Sequence, residues 1–370
     1  MLPYFLLLSI SAILPLFVYQ SRGLRLYRDY SVIIKKRNAL TISVFFVGLF
    51  VLLSLRDFSV GKDLITYKSI FESCIATPFK ELSNTQWEVG YTFYNKIFSL
   101  ISDNYRAFLI FTSILILIPV YMLFIKECRY GFLLIVLFIN MPCFLMIFSG
   151  LRQAIAISIG ILVYIALEKR KIVLSIILII LAGLFHISAF ILFLIYPIYF
   201  SRIKVRHLLY IVPSMIVIYI FRIPILTLMI KFMPSHYVEF YGEVHHTGAI
   251  GMMILFLIFL VFSFVILDED IMSKRDYFMR NVLLVATLFQ FFVPIHGLIQ
   301  RASYYFLIFV PISILSVVQA PKRRLKNISN VAVVVMGCFF FLYFFYNAFF
   351  SSDNLLDVFP YKFFWEEQGW

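Results

Sequence analysis

Apolar runs recur from one end of the chain to the other, separated by short polar stretches. Twelve stand out, at 2–19, 39–55, 105–125, 130–148, 151–167, 172–184, 188–200, 208–221, 248–267, 277–293, 302–319 and 328–350. A helix of about 20 apolar residues spans the hydrocarbon core of a bilayer. Lipid offers no partner to an open backbone, so the spans are expected to be helices. The weak alternation of barrel strands is absent. The pattern predicts an all-α polytopic membrane protein of about twelve transmembrane segments in a single integral-membrane domain, 1–370. Residues 172–200 form one long apolar run with a basic loop at each end. Two short helices turning at GLFHIS keep both basic loops on one side, which puts His186 at the turn.

The polar stretches fall into two sets. Six short ones, at 21–38, 126–129, 168–171, 201–207, 268–276 and 321–327, hold 20 of the 32 Lys and Arg residues. By the positive-inside rule these face the cytoplasm. Both termini are then external. The external parts are a large loop at 56–104, a second loop at 222–247 and a tail at 351–370. The large loop mixes aromatic and charged residues, so short helices lying along the membrane surface are expected there. The run Leu2–Tyr19 has no basic leader and no small-residue cleavage site, and is expected to remain as a helix.

Composition sharpens this reading. Hydrophobic residues make up 63% of the chain and charged residues 14%, against roughly 25% charged in a soluble protein. Mean hydropathy is +0.97. The net charge of +13 belongs to loops between apolar runs, so topology accounts for it and nucleic acid is not implied. Cys74, Cys128, Cys143 and Cys338 are scattered without a C-x-x-C, which favours neither a metal nor a disulfide framework. No P-loop is present.

Arg152 is the only charge between Arg129 and Glu168. On the expected topology it lies at the outer membrane face, with Arg56 at the end of the second segment and Arg301 at the start of the eleventh. Arginine at such a depth is costly and marks a functional candidate. Guanidinium forms forked, charge-assisted bonds to phosphate, so the three read as a clamp for an anionic headgroup, a lipid-linked diphosphate above all. A snorkelling anchor is the plain alternative for any one of them.

In FSVGKDLITY, Gly61 permits a tight turn or a close backbone approach. Asp63 follows, with Tyr67 four residues on and on the same helical face. Asp63 has two open roles, general base or holder of an arginine. WEVGY brings a second external acid, Glu88, flanked by aromatics such as Tyr91 that suit a sugar ring. His186 also has two open roles, since histidine ordinarily titrates near neutrality. It could activate an acceptor hydroxyl or hydrogen-bond a phosphate. His236, His245 and His246 share a loop with Glu239 and Glu243, but not at H-E-x-x-H spacing, and no metal site is expected. DED at 268–270 reads as a solvated cytoplasmic turn.

Taken in order, RDFSVGKDLITY (56–67), WEVGY (87–91), SGLRQAIAISIG (149–160), LFHISAF (184–190), QRASYYF (300–306) and FPYKFFW (359–365) resemble the EpsG family. Its members resemble Wzy-type polymerases of O-antigen, capsule and exopolysaccharide. The resemblance implies a fold related to the GT-C membrane glycosyltransferases, in the polymerase and ligase branch. It implies a growing glycan on undecaprenyl diphosphate as donor and the non-reducing end of a lipid-linked repeat unit as acceptor. No cofactor and no metal are implied, and a chain-length regulator is an expected partner. Carried over on the motifs are Arg56, Gly61, Asp63, Arg152, Gln153, His186 and Arg301, and with them Glu88 and Tyr91; His186, Asp63 and Glu88 are the catalytic candidates, while Gly61, Tyr67, Tyr91, Gln153 and Tyr304 are expected to bind substrate or support the site. Three rivals stay open: a ligase that uses the same donor but a lipid A core as acceptor, a flippase for lipid-linked glycans, and an inert scaffold.

Overall fold

A computed structural model describes residues 1–20, 27–127, 130–231, 248–319, 326–350 and 355–366. Among them the regular elements are helices, and the backbone pairs in strand fashion only at an isolated bridge between Arg56 and Phe363. The described residues cluster into two compact units. One comprises Met1–Phe190 with Val333–Trp370, the other Ile191–Ala332.

Four helices are individually long and apolar enough to cross a membrane: Val32–Leu55, Tyr105–Ile125, Leu151–Glu168 and Val331–Phe350. Three bent pairs raise the number to seven if each pair is one span. Shorter apolar helices cover Leu2–Val18, Ile172–Phe185, Ile187–Phe200 and Ile250–Ile266. Against the twelve segments expected, the described residues thus hold four to seven candidate spans by length and composition.

The bends have local causes. The expected helix 130–148 breaks into Gly131–Ile139 and Pro142–Ser149, bent by 68°. Pro142 has no N–H to continue the ladder, and its ring pushes Met141 into extended backbone. The Asn140 amide fills the gap by donating to the carbonyls of Val136 and Phe340. The segment expected to end at 221 turns by 75° and continues as Arg222–Ile230. Arg222 donates to the Tyr219 carbonyl and stacks on its ring, satisfying a helix end. The expected helix 302–319 is two pieces, Gly297–Leu307 and Val310–Gln319. The helix expected at 39 begins at Tyr27.

The first unit packs around Leu151–Glu168, which is almost wholly buried. Ser158 on it donates to the Ile116 carbonyl. An aromatic chain of Phe124, Phe138, Phe144 and Phe148 fills the space beside it, with ring centroids 5.0–5.5 Å apart. The large loop does carry short helices, at Leu64–Ala76, Phe79–Asn84 and Val89–Ser99. The second unit is built on Lys274–Gln290, which opens with a Ser273–Asp276 capping box. Its buried Asn281 donates to the carbonyls of Ile198 and Ser201. Its buried Arg280 pairs with Glu269 at 2.9 Å. Glu269 of the acidic triplet is therefore spent on a structural arginine, while Asp268 keeps to its own turn.

Candidate active site

Residues 56–62 form a tight turn that two other segments hold. From one side the C-terminal segment grips it. Asp57 N–H donates to the Lys362 carbonyl, Gly61 N–H to Asp357 and Lys62 N–H to Leu356. From the other side the turn presses on Phe148 and Ser149. Gly61 has φ +115°, and a Cβ there would lie 2.4 Å from the Phe148 carbonyl oxygen, so glycine alone fits. Asp63 N–H then donates to Ser149 Oγ at 3.3 Å, tying the turn to the residue two before Leu151. This places the Asp63–Tyr67 face beside the start of the Arg152 helix.

A second close approach brings in the other partners. The Val89–Ser99 helix lies against the end of the Ile172–Phe185 helix, and a Cβ on Gly90 would sit 2.7 Å from the Leu184 carbonyl. Without a side chain at 90, Glu88 reaches His186, which ends its helix in extended backbone at φ −158°. His186 Nδ1 lies 2.9 Å from Glu88 Oε1. The other carboxylate oxygen, Oε2, accepts from Arg152 Nη1. One carboxylate, 64 residues from the arginine and 98 from the histidine, thus joins the two.

The group is shielded but reachable: the side chains of Arg152, Glu88 and His186 are 15%, 12% and 6% exposed. The Arg152 guanidinium lies 4.5 Å from the Trp87 ring and 5.8 Å from that of Tyr67. Tyr67 meets Tyr91 edge to face at 5.5 Å. Tyr91 is fully buried, and its hydroxyl, like Arg152 Nε, has no hydrogen-bond partner among the described residues. Buried donors left unspent are costly, and they suit a ligand rich in acceptors.

Burial pushes the Glu88 carboxyl up, but the His186 hydrogen bond and the Arg152 charge outweigh it and hold the pKa at about 2. Glu88 is then an anion that only accepts, so the hydrogen in the 2.9 Å contact comes from Nδ1 of His186. A carboxyl held below its ordinary 4.5 contributes stability that is fully present above that value and lost as pH falls toward 2. The gap in melting temperature between wild type and Glu88→Gln is therefore expected to be constant above about pH 5 and to narrow below it. A pH series of thermal melts in detergent checks this; a gap that holds to pH 3 would mean the carboxylate is not the stabilising group.

Arg56 lies elsewhere in the same unit. It is fully buried, 5.6 Å from the Phe148 ring and under the C-terminal segment, with all three guanidinium nitrogens lacking a hydrogen-bond partner among the described residues. Burial pulls its pKa down to about 10, against the opposing influence of Tyr105, Tyr361 and Tyr4. Arg106, outside the expected set, secures this corner by donating to the carbonyls of Ser54 and Arg56 and stacking on Phe364. Gln153 is buried beside Arg152. Arg301 and the buried Tyr304 lie on Gly297–Leu307 in the second unit. His296, also outside the expected set, starts that helix by accepting from Leu298 N–H. Among the described residues no group of His, Cys, Asp and Glu is set to hold a metal. The 236–246 histidines and acids lie outside the described residues.

Apart from Tyr4 and Phe364, the residues that form these contacts lie within the part of the chain that matches one family model, the EpsG family, over residues 39–363. The chain belongs to the EpsG family. Comparison with curated proteins and with solved structures returned no match. Every residue of the Arg152–Glu88–His186 group, the Gly61 turn and most of the C-terminal segment fall inside the EpsG match. EpsG membership, with the apolar helices, makes this a membrane protein of a family consistent with polysaccharide polymerisation. Trp87 and Ser149 went unmarked among the candidate residues. Their signal was adjacency, since each borders a motif residue that needs a wall or an anchor.

Proposed function

We propose that this EpsG-family chain is a polysaccharide polymerase of the inner membrane, an enzyme related to the GT-C glycosyltransferases. It transfers a growing glycan from undecaprenyl diphosphate to the non-reducing end of a lipid-linked repeat unit at the periplasmic face. The observation that carries this reading is the Arg152–Glu88–His186 group, in which one carboxylate orients a histidine and sits against an arginine.

The geometry supports the following chemistry. The acceptor hydroxyl attacks the anomeric carbon of the donor while His186 Nε2 takes its proton. The bond from that carbon to the diphosphate oxygen breaks, and the electron pair leaves with the diphosphate. Arg152 stabilises the charge that builds on the leaving oxygen, the kind of contribution that is commonly the largest in catalysis. Glu88 orients the ring and stabilises the imidazolium, as the acid does in a catalytic triad. Asp63, whose carboxylate makes no hydrogen bond or ion pair among the described residues, is the alternative base. Arg56 and Arg301 are proposed as further diphosphate contacts. Trp87 and Tyr91 supply aromatic surface for sugar.

Deleting the gene in its host and separating the surface glycan on a gel tests the reading. A ladder that collapses to single repeat units supports a polymerase. Loss of all surface glycan would instead favour ligation to a lipid A core or flipping, and an unchanged ladder would leave a scaffold.

A further inference from the structure

The proposed function asks Arg152 to hold a diphosphate, yet that arginine is bonded to Glu88. We infer that Glu88 is an internal stand-in for the donor phosphate: the Arg152–Glu88 pair is a latch that the diphosphate displaces, and Glu88 thereby sets how tightly the donor is held. This inference rests on the diphosphate reading of Arg152 and deepens it.

Three features of the site support exchange over a fixed strut. First, the carboxylate has another partner to keep. Its Oε1 stays on His186 Nδ1 at 2.9 Å when Oε2 gives up the arginine, so Glu88 is not left buried and unpaired. Second, the guanidinium has spare capacity. Arg152 Nε is buried without a hydrogen-bond partner among the described residues, and a phosphate offers the acceptors that one carboxylate oxygen does not. Third, the guanidinium slides on flat surfaces. The Trp87 ring, 4.5 Å away, gives it such a surface, and that contact survives a lateral shift toward a ligand.

The exchange has a functional consequence. With the arginine drawn to the donor, the whole charge of Glu88 falls on His186, so the histidine becomes a better proton acceptor only when a donor is in place. Donor affinity is given up to the internal competitor, and the base is armed by binding. A ligand gains from a site only the difference between its own contacts and those it displaces.

The test measures binding and turnover separately in the full-length detergent-solubilised protein. Farnesyl diphosphate serves as the binding probe, with farnesol as the control without phosphate. Glu88→Gln is expected to tighten farnesyl diphosphate by about tenfold, the equivalent of one charge-assisted hydrogen bond no longer displaced, while slowing glycan transfer. Farnesol binding should not change. Glu88→Asp, which draws the carboxylate back by one methylene, should shift affinity the same way by less, and covers the case in which the glutamine variant does not fold. Unchanged or weaker diphosphate binding in both variants would overturn the latch and make the pair a strut. Arg152→Ala separates the two ideas. If it leaves diphosphate binding intact, the diphosphate reading of Arg152 fails, and the latch with it. If it weakens binding while the Glu88 variants do not tighten it, only the latch fails.

Discussion

Arg152→Ala is expected to lower glycan transfer by about 10²–10³-fold, the usual loss on removing one donor from a preorganised anion site. The same change removes the guanidinium packed 4.5 Å from the Trp87 ring in a largely buried position, so folding is expected to suffer as well. The two effects are separable. Fluorescence-detected gel filtration reports folded protein, and the ladder per folded molecule reports transfer. Arg152→Lys keeps the charge on Glu88 but loses the fork, and should restore folding more than activity. A full ladder from Arg152→Ala would reduce the residue to an anchor for the helix.

Gly61→Ala is expected to cost stability by about 4 kcal/mol or more, which is rare for a single methyl group. Two terms add. At φ +115° a side chain is strained in backbone that only glycine adopts freely, worth about 1–3 kcal/mol. The added Cβ also lies 2.4 Å from a backbone oxygen, Phe148 O, which has no flexible end to swing away. The turn must move, and with it go its two bonds to Leu356 and Asp357 and the bond from Asp63 to Ser149. Gly337→Ala is the matched control. Nothing lies within 4 Å of its added Cβ, and alanine favours a helix over glycine by about 1 kcal/mol. Melting temperatures of the two variants should move in opposite directions. Equal melting would mean the turn is not pressed against Phe148.

Some of this site was legible along the chain. The glycine in SVGKD announced a close backbone approach, and the structure supplies the surface it approaches. The histidine in GLFHIS announced a break in a long apolar run, and the helix ends there. Arg152 drew attention because a lone cation among apolar residues has to be answered by something. What answered it, Glu88, stood out only as an acid among aromatics. The pairing needed the Val89–Ser99 helix to touch Leu184, and nothing in the spacing of Gly90 names the residue it meets. The broken helices were hidden for a related reason. Hydropathy reads 130–148 as one apolar run, while at the turn Asn140–Pro142 the Asn140 amide donates to the distant carbonyl of Phe340.

By itself, the sequence determined that the chain is a helical membrane protein, since period, length and apolarity are local properties that lipid enforces on any fold. It also determined which residue types carry unusual cost: a buried arginine, a helix-ending histidine, a glycine where no side chain fits. Only the tertiary structure decided that Arg152 faces the carboxylate of Glu88, and that Arg56 lies closed under the C-terminal segment. Ion pairs and straps join residues separated by 64 to more than 300 positions. Their partners are chosen by packing in three dimensions, which no periodicity along the chain records.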